Sequence, residues 1–181
     1  MAPYRRKQRA KRTRTYRIWH KRVGLALFVV FAIVSISGIL LAYKDLMGLK
    51  PKTQNVVLTN DWKSVEELLI TAQTIVTDSL GLDATIDRLD IRPDKGVVKV
   101  LFKNHFTELQ LSGMTAELLS VQTRSDHIIE RIHDGSIIEF YTSQSDVSKW
   151  VFSTLSGIGL LGLVVTGLGL WYAPRSMKSK D

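Results

Sequence analysis

Histidines are the side chains in this sequence best suited to acid–base or metal chemistry, because the chain contains no cysteine. The four histidines are His20, His105, His127 and His133. No two of them have metal-ligand spacing on one helix, and the sequence contains neither a glycine-rich phosphate loop nor a nucleophile elbow. The lack of cysteine also excludes disulfides, thiolate metal sites and thiol catalysis. We therefore predict that the protein is not an enzyme and expect no resident metal.

Two long apolar segments are the elements that must position these histidines. Residues 23–43 and 150–172 contain no charged side chain. A helix over the first segment would be ~31 Å long, enough to cross the ~30 Å hydrocarbon layer of a bilayer. The segment exceeds the ~7–15 apolar residues of a signal peptide. We predict two transmembrane helices, 23–43 and 150–172, that form a helical hairpin.

The distribution of charge predicts the orientation of this hairpin. Residues 1–22 carry ten Lys and Arg without an acid, and residues 173–181 carry three against Asp181. Residues 44–149 carry twelve basic and sixteen acidic side chains, a net charge of −4. Because Lys and Arg in short flanks stay in the cytoplasm, both tails should be cytoplasmic and residues 44–149 periplasmic. This arrangement indicates the inner (cytoplasmic) membrane of a bacterium.

The basic N-terminal tail is a candidate anchor for anionic lipids or for an acidic partner subunit. Each cation near an anionic leaflet contributes ~1 kcal/mol of attraction. Charge alone does not distinguish among polyanions, but the position beside a membrane helix favours lipid, and we expect no nucleic acid. The residues that would make these contacts are Arg5, Arg6, Lys7, Arg9, Lys11, Arg12 and Arg14.

Small residues recur at helical spacing in both apolar segments, where they permit close approach of helix backbones. Packing within the hairpin is one use. Five glycines in the second segment exceed what one contact needs, so a second face should meet another membrane protein of a larger complex, or a second copy of this chain. At 100° per residue, Gly162 and Gly169 share a stripe that excludes Gly157. The candidate packing or partner residues are Ser35, Gly38, Ala42, Gly157, Gly162 and Gly169.

Residues 44–149 have the pattern of a small α+β domain. An amphipathic helix is predicted over 61–80, with Ser64 and Glu67 as a capping box and Gly81 at its end. Four strands should follow at 86–92, 97–103, 106–111 and 117–123, broken by turn residues, and a short juxtamembrane helix at 125–134 should stop at Gly135. The fold class is therefore a membrane helical hairpin with an inserted domain in which a helix packs on an antiparallel sheet.

Alternation along the second strand predicts which face of the sheet the helix covers. Val98, Val100 and Phe102 form one apolar face, while Lys99 falls on the mixed face. We expect Leu69 of the helix to meet Phe102 across the interface. Substitution of Lys99 should cost little stability.

Several short motifs in the chain resemble the PepSY-associated transmembrane family. They are Arg17-x-x-His20-x-x-x-Gly24, Ser37-Gly38, Ile132-His133-Asp134-Gly135 and the run Thr166-Gly167-Leu168-Gly169-Leu170-Trp171. The inserted domain is similar to a PepSY domain. Thr115-Ala116-Glu117-Leu118-Leu119 stands where that domain usually has a Thr-Gly-Glu-Val-Leu-like turn, with Ala116 in place of the glycine.

The resemblance implies one of two functions. PepSY modules elsewhere modulate peptidases or sensors, so the chain is expected to bind proteins, as an accessory subunit of a membrane complex or as a modulator of a periplasmic partner, without a cofactor. Larger relatives resemble ferric-siderophore reductases that bind haem through histidines, which makes His20 and His133 candidate haem ligands. Since these two lie at opposite ends of the membrane, they cannot share one haem within a single chain. The haem alternative therefore requires an oligomer.

Overall fold

The computed structural model describes residues 2–59, 61–142 and 147–178, with side chains described except at 2, 3, 5, 6, 9 and 173–178. The chain forms two compact units. One unit combines the chain up to Gly38 with the chain from Ile132 onward, and the other is Ile39–Arg131.

Two long helices dominate the first unit. Helix α1 spans Ala2–Ala42 and helix α5 spans Val147–Lys178, so the helical backbone extends beyond both predicted apolar segments. The helical segments Ala10–Ala42 and Val147–Tyr172 each contain a stretch long and apolar enough to cross a membrane. Large apolar side chains on both helices are exposed, for example Leu25 at 74% and Ile158 at 65%. Since water would penalise so much exposed apolar surface, the helices indicate a membrane location.

The second unit contains the α+β insert predicted from the sequence. Helix α2 (Val65–Thr74) continues through a π-helical turn at Ile75–Ser79. Four strands follow: β1 (Ile86–Arg92), β2 (Val97–Phe102), β3 (Thr107–Ser112) and β4 (Leu118–Thr123). They form one antiparallel sheet in the order β1-β2-β3-β4, as a meander with short turns requires. Helix α3 (Ser125–Asp134) starts in this unit, and α4 (Ile137–Thr142) lies between α3 and α5.

Local signals set the ends of these elements. Ser64 caps α2 by accepting a hydrogen bond from the Glu67 backbone N–H at 3.1 Å, so the helix begins at Val65 and not at Asp61. Gly81 and Gly135 have φ angles of 63° and 79°, which glycine adopts without strain, and they terminate their helices as predicted. The four strands match their predicted positions to within about a residue.

The core of the insert lies between α2 and one face of the sheet. From the helix it contains Leu68, Ala72 and Val76, and from the sheet it includes Phe102. The prediction that Leu69 meets Phe102 is therefore wrong by one position. Leu68, Ala72 and Val76 recur at intervals of four residues and form the buried stripe, whereas Leu69 lies to its side and is half-buried.

The opposite face of the sheet is also buried, which the sequence analysis did not predict. An extended stretch, the cover segment (49–58), is tied to it: Gln54 N–H donates to Gln110 Oε1 at 2.9 Å, and Gln110 Nε2 donates to the Lys52 carbonyl at 3.0 Å. Lys99 on this face is only 2% exposed. The expectation that Lys99 tolerates substitution is therefore wrong, because its ammonium group is inside the domain.

Candidate functional site

His20 and Thr166 join the two long helices near one end of the hairpin. His20 Nδ1 lies 2.8 Å from Thr166 Oγ1. A methyl group added at the following residue, Gly167, would lie 3.5 Å from the His20 ring, so the imidazole rests beside a glycine backbone. A methyl group there would make an ordinary van der Waals contact with the ring.

A second pair with the same chemistry lies towards the other end of α1. Ser37 Oγ lies 2.9 Å from His133 Nδ1, and a methyl group at Gly38 would lie 3.4 Å from the His133 ring. Ser37 is buried. The two pairs repeat one motif: a histidine ring over a hydroxyl residue followed by glycine.

The hydroxyl groups determine which ring nitrogen carries the proton in each neutral histidine. Ser37 Oγ donates to the Ile33 carbonyl at 2.6 Å, and Thr166 Oγ1 donates to the Gly162 carbonyl at 2.7 Å. Each hydroxyl group has a single proton, which is used in the hydrogen bond to the carbonyl oxygen. The hydroxyl oxygen must therefore accept the hydrogen bond from the histidine, so Nδ1 is the donor. The Nε2 atom of a neutral ring then has a free lone pair that can accept a proton or bind a metal.

The predicted haem ligands are not brought together by the fold. His133 contacts Ser37, which follows His20 by seventeen residues on α1, a separation of ~25 Å along the helix. Each end of the hairpin therefore presents one histidine from this chain. Among the described residues, no group of three or more His, Asp or Glu side chains is arranged to hold a metal ion.

Glycines of α5 divide between contacts with α1 and open positions. A methyl group at Gly169 would lie 3.0 Å from the Tyr16 ring, and one at Gly159 would overlap Leu27. The same group at Gly157 or Gly162 would meet no atom within 4 Å in the part of the chain that the structure describes. Gly162 and Gly169 thus differ in their surroundings although they share a helical stripe.

The other predicted contact residues are mostly exposed. Ser35 and Ala42 on α1 are exposed, whereas Gly38 packs against His133. In the basic tail, Lys7, Lys11, Arg12 and Arg14 are exposed on the helix. The side chains of Arg5, Arg6 and Arg9 lie outside those that the structure describes.

The insert contains a buried ionic network that was not predicted from the sequence. Lys99 Nζ lies 3.1 Å from Glu108 Oε1, Arg124 Nε lies 3.7 Å from Glu108 Oε2, and Arg124 Nη2 lies 2.7 Å from Asp126 Oδ2. Glu108 and Asp126 are each 1% exposed. The sequence did contain one signal for this network. Glu108 and Gln110 alternate with apolar residues on β3, and Gln110 pairs with Lys99 on the neighbouring strand, so the three polar residues share one face of the sheet.

Electrostatic coupling within this network shifts two pKa values. Burial by itself would raise the pKa of Asp126, but the hydrogen bond and charge of Arg124 outweigh it and hold that pKa below its ordinary value. The pKa of Arg124 is raised, first by its hydrogen bond to Asp126. Both groups therefore keep their charges at neutral pH.

Comparison with known proteins gives no further assignment. A scan against models of protein families finds no match, and a search of curated proteins finds none either. The resemblance to the PepSY-associated transmembrane family stays a prediction from the motifs.

Proposed function

We propose that this chain is a membrane-anchored, non-enzymatic protein that acts by binding other proteins. It would serve as an accessory subunit of a larger membrane complex or as a modulator of a periplasmic partner. Both tails would face the cytoplasm and the insert the periplasm, as the charge distribution favours. The exposed cations of the tail would hold it to anionic lipids.

The observation that carries this proposal is the pair of open glycines on α5. Gly157 lies nine residues before Thr166, which contacts α1, so it points ~180° away from that contact. No atom of the described residues lies within 4 Å of a methyl group placed at Gly157 or Gly162. Glycines at such positions weaken an isolated helix and permit close approach by another helix. Because Gly157 and Gly162 point about 140° apart around α5, two separate contacts with partner helices would explain why both are glycine.

The motifs behind the PepSY resemblance support the same proposal. Ala116 is the one described residue other than glycine with a positive φ, at 61°. PepSY domains usually carry glycine at this place in the turn, and the left-handed backbone at Ala116 is the conformation that favours glycine. The turn geometry thus fits the family pattern although the residue differs.

The test is co-purification from the native membrane in mild detergent, with Gly157→Leu, Gly162→Leu and Gly159→Leu compared. The first two variants should insert and fold normally but lose their partners, because only close backbone approach is blocked. Gly159→Leu should disturb the hairpin itself, since the new side chain would overlap Leu27. Unchanged partners in both open-position variants, or loss of folded protein, would contradict the proposal.

A haem-binding redox function is the second candidate, and the histidine tautomers favour it. In both pairs Nδ1 donates to a hydroxyl, which leaves Nε2 free, the arrangement found for metal-bound histidines. The donor set fits one axial position at each end. When bound, haem would supply electron transfer. The second ligand would have to come from another copy or a partner.

Absorption spectra separate the two functions. A Soret band at near-stoichiometric intensity in the purified protein, abolished by His20→Ala or His133→Ala, would favour the redox function. A colourless protein that co-purifies with other membrane proteins would favour the first proposal. Thr166→Val is a useful additional variant, because it keeps His20 and removes the hydroxyl that orients it.

A further inference from the structure

The insert contains a cavity of about 380 Å³ on the face of the sheet opposite α2, beside the buried ionic network. This volume falls at the lower end of the ~300–1,000 Å³ range of small-molecule sites. Cations dominate its lining although residues 44–149 carry a net charge of −4. The five basic side chains are Lys50, Arg88, Arg92, Lys99 and Arg124, against two acids, Asp90 and Glu108.

Three of these cations are already paired by neighbouring acids. Arg92 bonds to Asp90 at 2.7 Å, and Lys99 and Arg124 belong to the buried network. Within the described ranges, the one acid paired with Arg88 is Asp87, at the outer limit of 4.0 Å. No ion pair to Lys50 is found among the described residues. The cavity therefore keeps positive charge that the insert does not neutralise.

Two of the cavity arginines also act on His127 of α3. The pKa of His127 is lowered, first by burial and then by the charges of Arg131, Arg124 and Arg88. Two of these arginines line the cavity. A negative ligand would be attracted to the same place.

One buried acceptor in the lining has no hydrogen-bond donor. Glu108 Oε1 is paired with the Lys99 ammonium group and accepts a hydrogen bond from the side-chain amide of Gln110. Glu108 Oε2 accepts no hydrogen bond from the described residues. The residue is 1% exposed, and the nearest cation, Arg124 Nε, is 3.7 Å away. A buried carboxylate oxygen without a donor costs free energy, so a ligand that donates there would be favoured.

We propose that this cavity is a binding site for a small oxyanion that also carries a hydrogen-bond donor, such as a hydroxycarboxylate. The anionic groups lie against Arg88 and Lys50, whose charges are the least compensated. The hydroxyl group donates to Glu108 Oε2. Lys99 and Arg124 are held by buried acids and fix the position of that carboxylate on the sheet. The site is independent of the protein-binding function proposed for the hairpin.

Two matched dicarboxylates test the site, with isothermal titration calorimetry on the full chain in detergent. L-malate and succinate have the same carbon chain and charge, and only malate has a hydroxyl group. Malate should bind with a 1:1 stoichiometry and about 10-fold or more tighter than succinate, as expected for one hydrogen bond to a charged group. Inorganic phosphate serves as a compact oxyanion that should compete with malate.

Charge variants locate the binding on the protein. Arg88→Gln should weaken malate binding about 10- to 100-fold, because a charge-assisted hydrogen bond is lost. Lys103→Gln is the control, since Lys103 is an exposed cation directly after strand β2 that does not line the cavity. The side chain of Arg88 is 53% exposed, so the variant should fold. An unchanged thermal midpoint would verify this.

Three results would overturn the proposal. The first is no binding of malate or phosphate at millimolar concentration by the folded protein. The second is equal affinity for malate and succinate, which would remove the role of Glu108 Oε2. The third is an equal effect of Arg88→Gln and Lys103→Gln, which would mean that the anions respond to overall charge alone.

Discussion

Replacing Lys99 by methionine should strongly destabilise the insert, because it leaves a buried carboxylate without its closest cation. Lys99 and Glu108 are 2% and 1% exposed, and their charged atoms are 3.1 Å apart. Removing one member of such a pair costs ~3–5 kcal/mol. Gln110 still donates to Glu108 at 2.8 Å, and Arg124 stays within 3.7 Å. We therefore expect a stability loss at the lower end of this range, about 3 kcal/mol. Methionine has a volume similar to that of lysine, so the substitution leaves no cavity that would add to the loss.

Hydrogen exchange of the full chain in detergent measures this loss where it occurs. A loss of about 3 kcal/mol should speed exchange of the amides of β2 and β3 roughly 100-fold when exchange requires opening of the insert. The double variant Lys99→Met with Glu108→Leu should recover most of the protection, because no buried charge is left unpaired. Arg124 keeps Asp126 in that variant.

Two outcomes would refute the buried-pair explanation. Wild-type protection in Lys99→Met would mean that solvent reaches Glu108. A double variant as poorly protected as the single variant would mean that the lysine contributes through packing of its aliphatic chain and not through its charge.

Three further predictions address the core, the orientation and the ionic network. Leu68→Ala should cost ~2–5 kcal/mol of insert stability and Leu69→Ala clearly less, as measured by the same exchange experiment, because only Leu68 is fully buried; equal costs would contradict the core assignment. In intact cells, a cysteine at Asp94 should react with an impermeant thiol reagent while one at Ser179 should not, and reversed labelling would invert the orientation. The Asp126 carboxylate, whose pKa lies below its ordinary 3.8, contributes stability that is present above that value and is lost as pH falls through the lowered pKa. Between about pH 6 and about pH 3, the thermal unfolding midpoint measured by circular dichroism should therefore fall less in Asp126→Asn than in the wild type. Identical dependence of the midpoint on pH in both proteins would mean that Asp126 does not contribute.

Local patterns in the sequence were enough to predict most elements of this protein. The two apolar helices follow from uninterrupted apolar segments longer than a bilayer is thick. Strand positions follow from alternation and turn residues, and the helix ends from Ser64, Gly81 and Gly135. Each of these signals acts over a few neighbouring residues, so it can be recognised without knowing the rest of the fold.

Contacts between distant parts of the chain were decided only by the tertiary structure. Alternation placed Lys99 on a mixed face, but its burial depends on the cover segment, which comes from more than forty residues earlier in the chain. Helical periodicity allowed either Leu68 or Leu69 to face the sheet, and the rotation of the packed helix selected Leu68. The contact of His20 with Thr166 joins residues 146 positions apart. Such pairings arise when elements pack together, and a pattern within one element does not contain them.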